Sequence, residues 1–243
     1  MSSARTTFEM GLREYVRTPV LLALLVFLPA YFIAVFTRVM PEQTVPVAVA
    51  GETVPVGMKA VVAALMTPMA AALVGGIAGL FLMRSAREAD TRLSIVGASV
   101  PELLAARGGV LTVAAVVASL VATAVMTVTY VPEHLEWFVA ATVLAGLLYG
   151  SLGALVGLVF NRLAGVYVLM FGPLLDIFLA QNPLSTETHA VAPYLPGHYP
   201  TELAFDAAFT ASVDPATLLW GIAYLVGVAA LTGLAFRRAL QVG

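Results

Sequence analysis

The chain has 243 residues, of which 60% are hydrophobic and 11% charged, and its formal net charge is −2. A soluble domain carries about 25% charged residues, so this composition excludes a soluble globular protein and predicts an integral membrane protein. The near-neutral charge offers no electrostatic footprint for nucleic acid. The lack of cysteine removes disulfides, thiolate metal sites and thiol nucleophiles.

The first element expected is an amphipathic helix over residues 4–18, within "RTTFEMGLREYVR". Phe8, Leu12, Tyr15 and Val16 share one helical face, while Arg5, Glu9, Arg13 and Arg17 recur every four residues on the other. That pattern predicts a helix lying in the membrane interface, with its apolar face in lipid and its arginines near headgroups. Its candidate functional residues are Phe8, Leu12, Arg13, Tyr15 and Arg17. Pro19 then marks a bend, because a proline disfavours helical geometry at the residue before it. No cleavable signal peptide is expected, since the first apolar run is long and lacks a small-residue cleavage site behind it.

A transmembrane helix needs roughly 20 apolar residues. Six stretches qualify: 20–39, 58–83, 110–131, 137–160, 164–183 and 216–236. The fold class expected is an all-α integral membrane protein, a single membrane domain over 1–243. Arg5, Arg13, Arg17, Arg84, Arg87, Arg92, Arg107, Arg162, Arg237 and Arg238 fall on one side of these spans. Arg38 and Lys59 alone fall on the other. By the positive-inside rule both termini and the 84–109 stretch are cytoplasmic.

Between spans one and two, "PEQTVPVAVAGETVPVG" is rich in Val, Pro and Gly and is expected to be extended. In span two, Thr67-Pro68 predicts a kink, as Pro29 does in span one. Small residues at four-residue spacing mark helix contacts: Ala71, Gly75 and Gly79 in span two, and Gly146, Gly150 and Ala154 with Gly153 and Gly157 in span four.

Residues 84–109 hold four arginines, two glutamates and an aspartate between almost wholly apolar stretches. A short helix is expected between Arg87 and Val96, capped by Asp90 or Ser85 and ended at Gly97. Ser99 and Glu102 fit a capping box for a second helix, with Pro101 in its first turn. Leu93 and Val96 would present an apolar edge beside solvated Arg87, Glu88 and Arg92, which predicts a docking surface for a partner.

Asp176, in "MFGPLLDIFLAQNPL", is the main intramembrane charge. Such charges mark functional sites by default. Asp176 and Thr67 are therefore the candidate residues of a substrate path or gate; the alternative for Asp176 is a place in the outer headgroup zone, with Gly172-Pro173 ending the helix. Residues 184–215 carry Leu203, Phe205 and Phe209 at helical spacing between Pro200 and Pro215, which predicts one or two short helices dipping into the outer membrane surface.

The order of these elements, with "RLSIVGASVPELLAARGGVL" entering span three and "YLPGHYPTELAFDAAF" before span six, resembles the ABC type-2 transporter permease family. Arg92–Ile95, Ser99, Pro101 and Glu102–Leu104 carry the match, although Val100 separates Ser99 from Pro101 where the family has an adjacent pair. The resemblance implies the membrane subunit of an ATP-driven exporter. Residues 84–100 would hold a cytoplasmic coupling helix that docks on a separate ATPase. The N-terminal helix would be the connecting helix, and 184–215 would supply short extracellular re-entrant helices. It implies two ATPase copies carrying ATP and Mg, a second permease copy or a homologous partner, and a prokaryotic cell-membrane location.

The chain has no GxxxxGK[ST] P-loop and its only lysine is Lys59, so no cofactor is expected on it and ATP hydrolysis is assigned to a partner. Gly150-Ser151-Leu152-Gly153 has the wrong order for a serine-hydrolase motif, and the histidines are too scattered for a metal site. An ATP-independent secondary carrier or a membrane scaffold is the alternative. A carrier would be expected to show repeated halves and paired intramembrane charges, and the sequence has neither.

Overall fold

The computed structural model describes residues 8–10, 12–13, 17, 19–49, 51–95, 100–184 and 190–242, with side chains described except at 19–22, 24, 86–95, 100 and 239–242. Seven α-helices, a two-stranded ribbon, a π-helical segment and a 3-10 turn make up the ordered elements among these residues. Helix α1 is Pro19–Val39, which begins on a proline, a residue that costs little in a first helical turn. Strands β1 (Thr44–Val49) and β2 (Glu52–Gly57) pair antiparallel, with Val49 opposite Glu52. Gly51 at the tip takes φ 79°, a left-handed geometry that glycine adopts without steric cost. Val47, Val49 and Val56 point into the core. The fold is thus helical with one β-ribbon, not wholly α; the alternating valines pair as well as extend.

Among the described residues five helices are long and apolar enough to cross a membrane: 58–85 within α2 (Met58–Ile95), 101–126 within α3 (Val100–Met126), α4 (Leu135–Val159), 162–180, and 215–238 within α7 (Pro215–Val242). In α1 the corresponding apolar stretch is the shorter Leu25–Val39. The third span ends at Met126, where a turn begins, five residues before Val131. The 162–180 helix changes geometry midway: α5 is Arg162–Pro173 and a π-helix follows over Leu174–Ala180. Pro173 does not break the helix as its position suggested. The chain stays helical and passes into the wider π geometry after it.

Helix α2 is the central element, buried along nearly all its apolar length, whereas α5 and α7 are largely exposed. Its contact with α4 is made through glycine. A Cβ on Gly75 would strike the carbonyl oxygen of Gly146, one on Gly79 would strike that of Gly150, and one on Gly153 would strike that of Gly76. Backbones that approach this closely gain van der Waals contact where lipid offers no hydrophobic drive between helices.

α2 runs unbroken to Ile95, so a separate helix between Arg87 and Val96 does not form. No glycine or proline interrupts 80–95, and its Arg, Ala, Glu and Leu residues are good helix formers. Ser85 and Asp90 therefore lie inside a helix rather than at a cap. α3 then begins at Val100 and carries Arg107 into the span, as the capping box predicts. Ser99 and Gly97 lie outside the described residues.

Candidate functional site

Two regions hold the sequence-predicted residues: the arginine-bearing end of the bundle, and a buried polar cluster around Asp176 at the other end.

At the first end, residues 8–10 are helical. Phe8 packs against a cluster that includes Leu25, Val74 and Val110, and its ring lies against Gly109. Phe8, on the apolar face of this segment, thus packs on protein. Leu12 is half-buried and Arg13 and Arg17 are exposed; Tyr15 lies outside the described residues. Val96 also lies outside them, as do the side chains of Arg87, Glu88, Arg92 and Leu93, although the backbone of these four belongs to α2.

Two arginines here make specific contacts. Arg84 Nη1 donates to the Phe160 carbonyl at 2.6 Å and so satisfies a backbone acceptor at the end of α4, where a cation also complements the helix dipole. Arg162 lies 4.7 Å from the centroid of the Phe81 ring, a cation–π contact. Between them the Asn161 side chain caps α5 by accepting from the Ala164 N–H at 2.8 Å.

Asp176 lies in the π-helix and is buried, 5% exposed. Its carboxylate accepts from the Tyr149 hydroxyl of α4, from the Gly197 N–H at 2.6 Å and from Gln181 Nε2 at 3.2 Å. A carboxylate can only accept, so three donors from three segments converge on a group whose burial would otherwise be costly. The π-helix explains Gln181: its N–H donates to the Asp176 carbonyl at 3.0 Å, five residues back, which brings its side chain over the carboxylate. Gln181 Nε2 also donates to the Ala192 carbonyl at 2.8 Å. Its Oε1 lies 3.3 Å from His198 Nδ1, and His198 Nε2 is 3.5 Å from Glu202. Gly197 has an ordinary φ of −77°, but a Cβ there would come within 2.8 Å of both carboxylate oxygens. Space is the reason for glycine at that position.

This cluster seats the short helix α6, His198–Phe209, whose Leu203, Ala204, Ala207 and Ala208 are fully buried. Its far end is held by the 130–134 turn. The Tyr130 hydroxyl donates to the Ala208 carbonyl at 2.6 Å, and the His134 N–H donates to the Ala207 carbonyl at 2.9 Å. The helical spacing of Leu203, Phe205 and Phe209 thus corresponds to a packed helix. A 3-10 turn, Ala192–Tyr194, precedes it and is tied to α7 by the Tyr224 hydroxyl donating to the Tyr194 carbonyl at 3.1 Å.

The Asp176 carboxylate is thus bonded to three protein donors. Thr67 is fully buried in α2 and its hydroxyl donates to the Ala63 carbonyl at 2.7 Å, one helical turn back. Tyr149, Gln181, Gly197 and His198 were not singled out from the sequence. The available signals were Gly172-Pro173 upstream of Asp176 and the Gly197 that precedes α6. Among the described residues no group of three or more His, Asp or Glu side chains could hold a metal ion.

Asp206, in α6, is buried beside Glu202 and Asp214, and burial first, then those two charges, push its carboxyl up to about 6. A carboxyl with a folded value above its unfolded one favours folding when protonated. The resulting stabilisation is full below about pH 4 and is lost as pH rises through about 6. Melting curves of detergent-solubilised protein are expected to show this loss between pH 4 and 7, and Asp206→Asn is expected to flatten it. Glu42, at the base of the ribbon, shifts the other way: its 2.6 Å hydrogen bond to Lys59 Nζ and the ammonium charge hold it below the usual carboxylate value.

No protein-family model matches the sequence, and no curated protein matches it either.

Proposed function

We propose that the chain is the membrane permease subunit of an ATP-driven exporter, energised by ATPase subunits on separate polypeptides. In this reading α1 completes a set of six spans, both termini and residues 84–100 are cytoplasmic, and α6 with the 3-10 turn closes the outer end. Two permease chains, identical or homologous, enclose the path, and two ATPases carry ATP and Mg.

The observation that supports this reading best is the length of α2. It continues ten residues past the apolar part that ends at Ser85, or about 15 Å at the helical rise. A helical extension at the end where Phe8 meets the foot of α3 suits a part that receives force from a partner and passes it into the bundle. Leu93 and Arg92 lie on that extension.

The test is ATP hydrolysis carried by the tagged chain after purification from its native membranes. The wild type is expected to bring down ATPase activity. Leu93→Asp and Arg92→Glu are each expected to cut it roughly tenfold, the effect of losing about 1.4 kcal/mol of docking energy. The elution profile in detergent should stay unchanged. Wild-type protein without associated ATPase activity would overturn the reading and leave the ATP-independent carrier in its place.

A further inference from the structure

Gln181 and His198 settle where each other's hydrogens lie. Gln181 Nε2 faces the Ala192 carbonyl at 2.8 Å and the Asp176 carboxylate at 3.2 Å. A carbonyl only accepts, so the amide has one orientation, with Oε1 toward His198 Nδ1 at 3.3 Å. Oε1 is an acceptor, and Nδ1 therefore carries a hydrogen. A neutral imidazole has one such hydrogen, which leaves Nε2 with a bare lone pair. That lone pair faces the Glu202 carboxylate, 3.5 Å away, so two acceptors meet and no bond forms. A second proton on the ring turns Nε2 into a donor and gives both neighbours a bond. The His198 side chain is 25% exposed, so water can deliver that proton.

The surroundings of the ring are mainly acidic. α6 itself supplies Glu202 and Tyr199, whose ring stands 5.0 Å from the imidazole. The π-helix supplies Asp176, reached through Gln181. α4 supplies Tyr149, bonded to Asp176, and Glu136, which lies 3.9 Å from His134. α7 supplies Tyr224, bonded to the Tyr194 carbonyl of the 3-10 turn. α2 has Lys59 at this end, paired with Glu42, and β1 has no charged residue. Asp206, two turns along α6, feels the charges of Glu202 and Asp214. A proton on His198 thus places a positive charge among Glu202, Asp206 and Asp176. Gln181 carries the effect inward, because the side chain that His198 holds also bonds Asp176. That carboxylate takes the Gly197 N–H at the start of α6, where negative charge favours a helix.

We propose that His198 is a proton-operated latch on α6. With both nitrogens protonated the ring ties Gln181 to Glu202 and holds the start of α6 on the Asp176 seat; with one proton lost it releases Glu202 and that end loosens. The proposal does not depend on the transport reading. Histidine as a class changes charge between about pH 5 and 8, so the latch is tight at the acid end and released as pH rises. The first test follows the ring nitrogens by NMR of full-length protein carrying nitrogen-15 histidine, with His198→Gln identifying the signal. Both nitrogens are expected to be protonated at about pH 5, and Nδ1 alone at about pH 8. The second test is cleavage by proteinase K within residues 184–215, relative to an unfolded substrate at the same pH. It is made in Asp206→Asn protein, where the carboxyl beside Glu202 no longer titrates. Cleavage is expected to be about threefold faster at the alkaline end, the scale of one partly exposed ion pair. Adding His198→Gln is expected to remove the difference. Adding Glu202→Gln, which offers the neutral ring an amide donor, is expected to remove it by protecting the segment at the alkaline end. A hydrogen on Nε2 alone, or one charge state from pH 5 to 8, overturns the proposal whether or not the variants fold. So does equal cleavage at the two pH values in Asp206→Asn protein, or a difference that survives His198→Gln.

Discussion

Gly75→Val and Gly79→Val are each expected to abolish the monodisperse folded species in detergent. The added Cβ would land on the carbonyl oxygen of Gly146 or Gly150, and neither atom is the end of a side chain that can swing aside. Overpacking in a core costs about 1–3 kcal/mol where side chains can adjust. Here two helix backbones must part along the most extensive contact of the central helix, so the loss should exceed that range. Gly108→Ala is the matched control, because its Cβ enters open space and exchanging glycine for alanine in a helix gains about 1 kcal/mol. Size-exclusion profiles and thermal unfolding of the three proteins check the expectation. A normal profile for Gly75→Val would mean that α2 and α4 are not seated on each other.

Asp176→Ala is the second large effect. It strands the Tyr149 hydroxyl, the Gly197 N–H and one bond of Gln181 Nε2. A buried donor left without a partner costs about 1–3 kcal/mol, while hydrogen bonds inside membrane proteins average nearer 0.6 kcal/mol. The sum falls at roughly 2–5 kcal/mol. Tyr149→Phe removes one donor and is expected to cost about 1 kcal/mol. Asp176→Asn keeps one acceptor oxygen but turns an amide group toward a remaining donor, which places it between the two. Thermal unfolding gives the ranking. Limited proteolysis gives the location: α6 is seated by this cluster, so cleavage in the 184–215 segment should rise in Asp176→Ala before the rest of the bundle melts.

The glycine contacts were legible in the sequence because helix geometry converts four-residue spacing into a face. Ala71, Gly75 and Gly79 could be read as one such face, and Gly146 and Gly150 as another. That the two faces meet each other was not legible, since glycine signals close approach without naming the partner. Residues 84–95 misled for a different reason. Ser85 and Asp90 are good caps, but a cap acts only where the preceding helix has ended, and nothing there ends it. Asp176 stood out by its charge, yet its role depends on Tyr149, 27 residues before it, and Gly197, 21 residues after it. No local pattern encodes pairings over such distances.

The seating of α2 on α4 constrains how the bundle can move. Carbonyl oxygens of Gly146 and Gly150 sit where α2 has no side chain, and the Gly76 carbonyl sits where α4 has none. These act as teeth. Sliding either helix along its axis would drive an oxygen into a side chain, so the two helices can travel only as one body. All the teeth lie between Pro68 and the Ile95 end of α2. Pro68 is also where the helical ladder lacks a donor, so bending of α2 concentrates there. From Pro68 to Ile95 the helix is about 40 Å long, and a swing of about 5° moves the Ile95 tip by roughly 3.5 Å. A push on that tip would carry α4 along with α2 and turn both about Pro68.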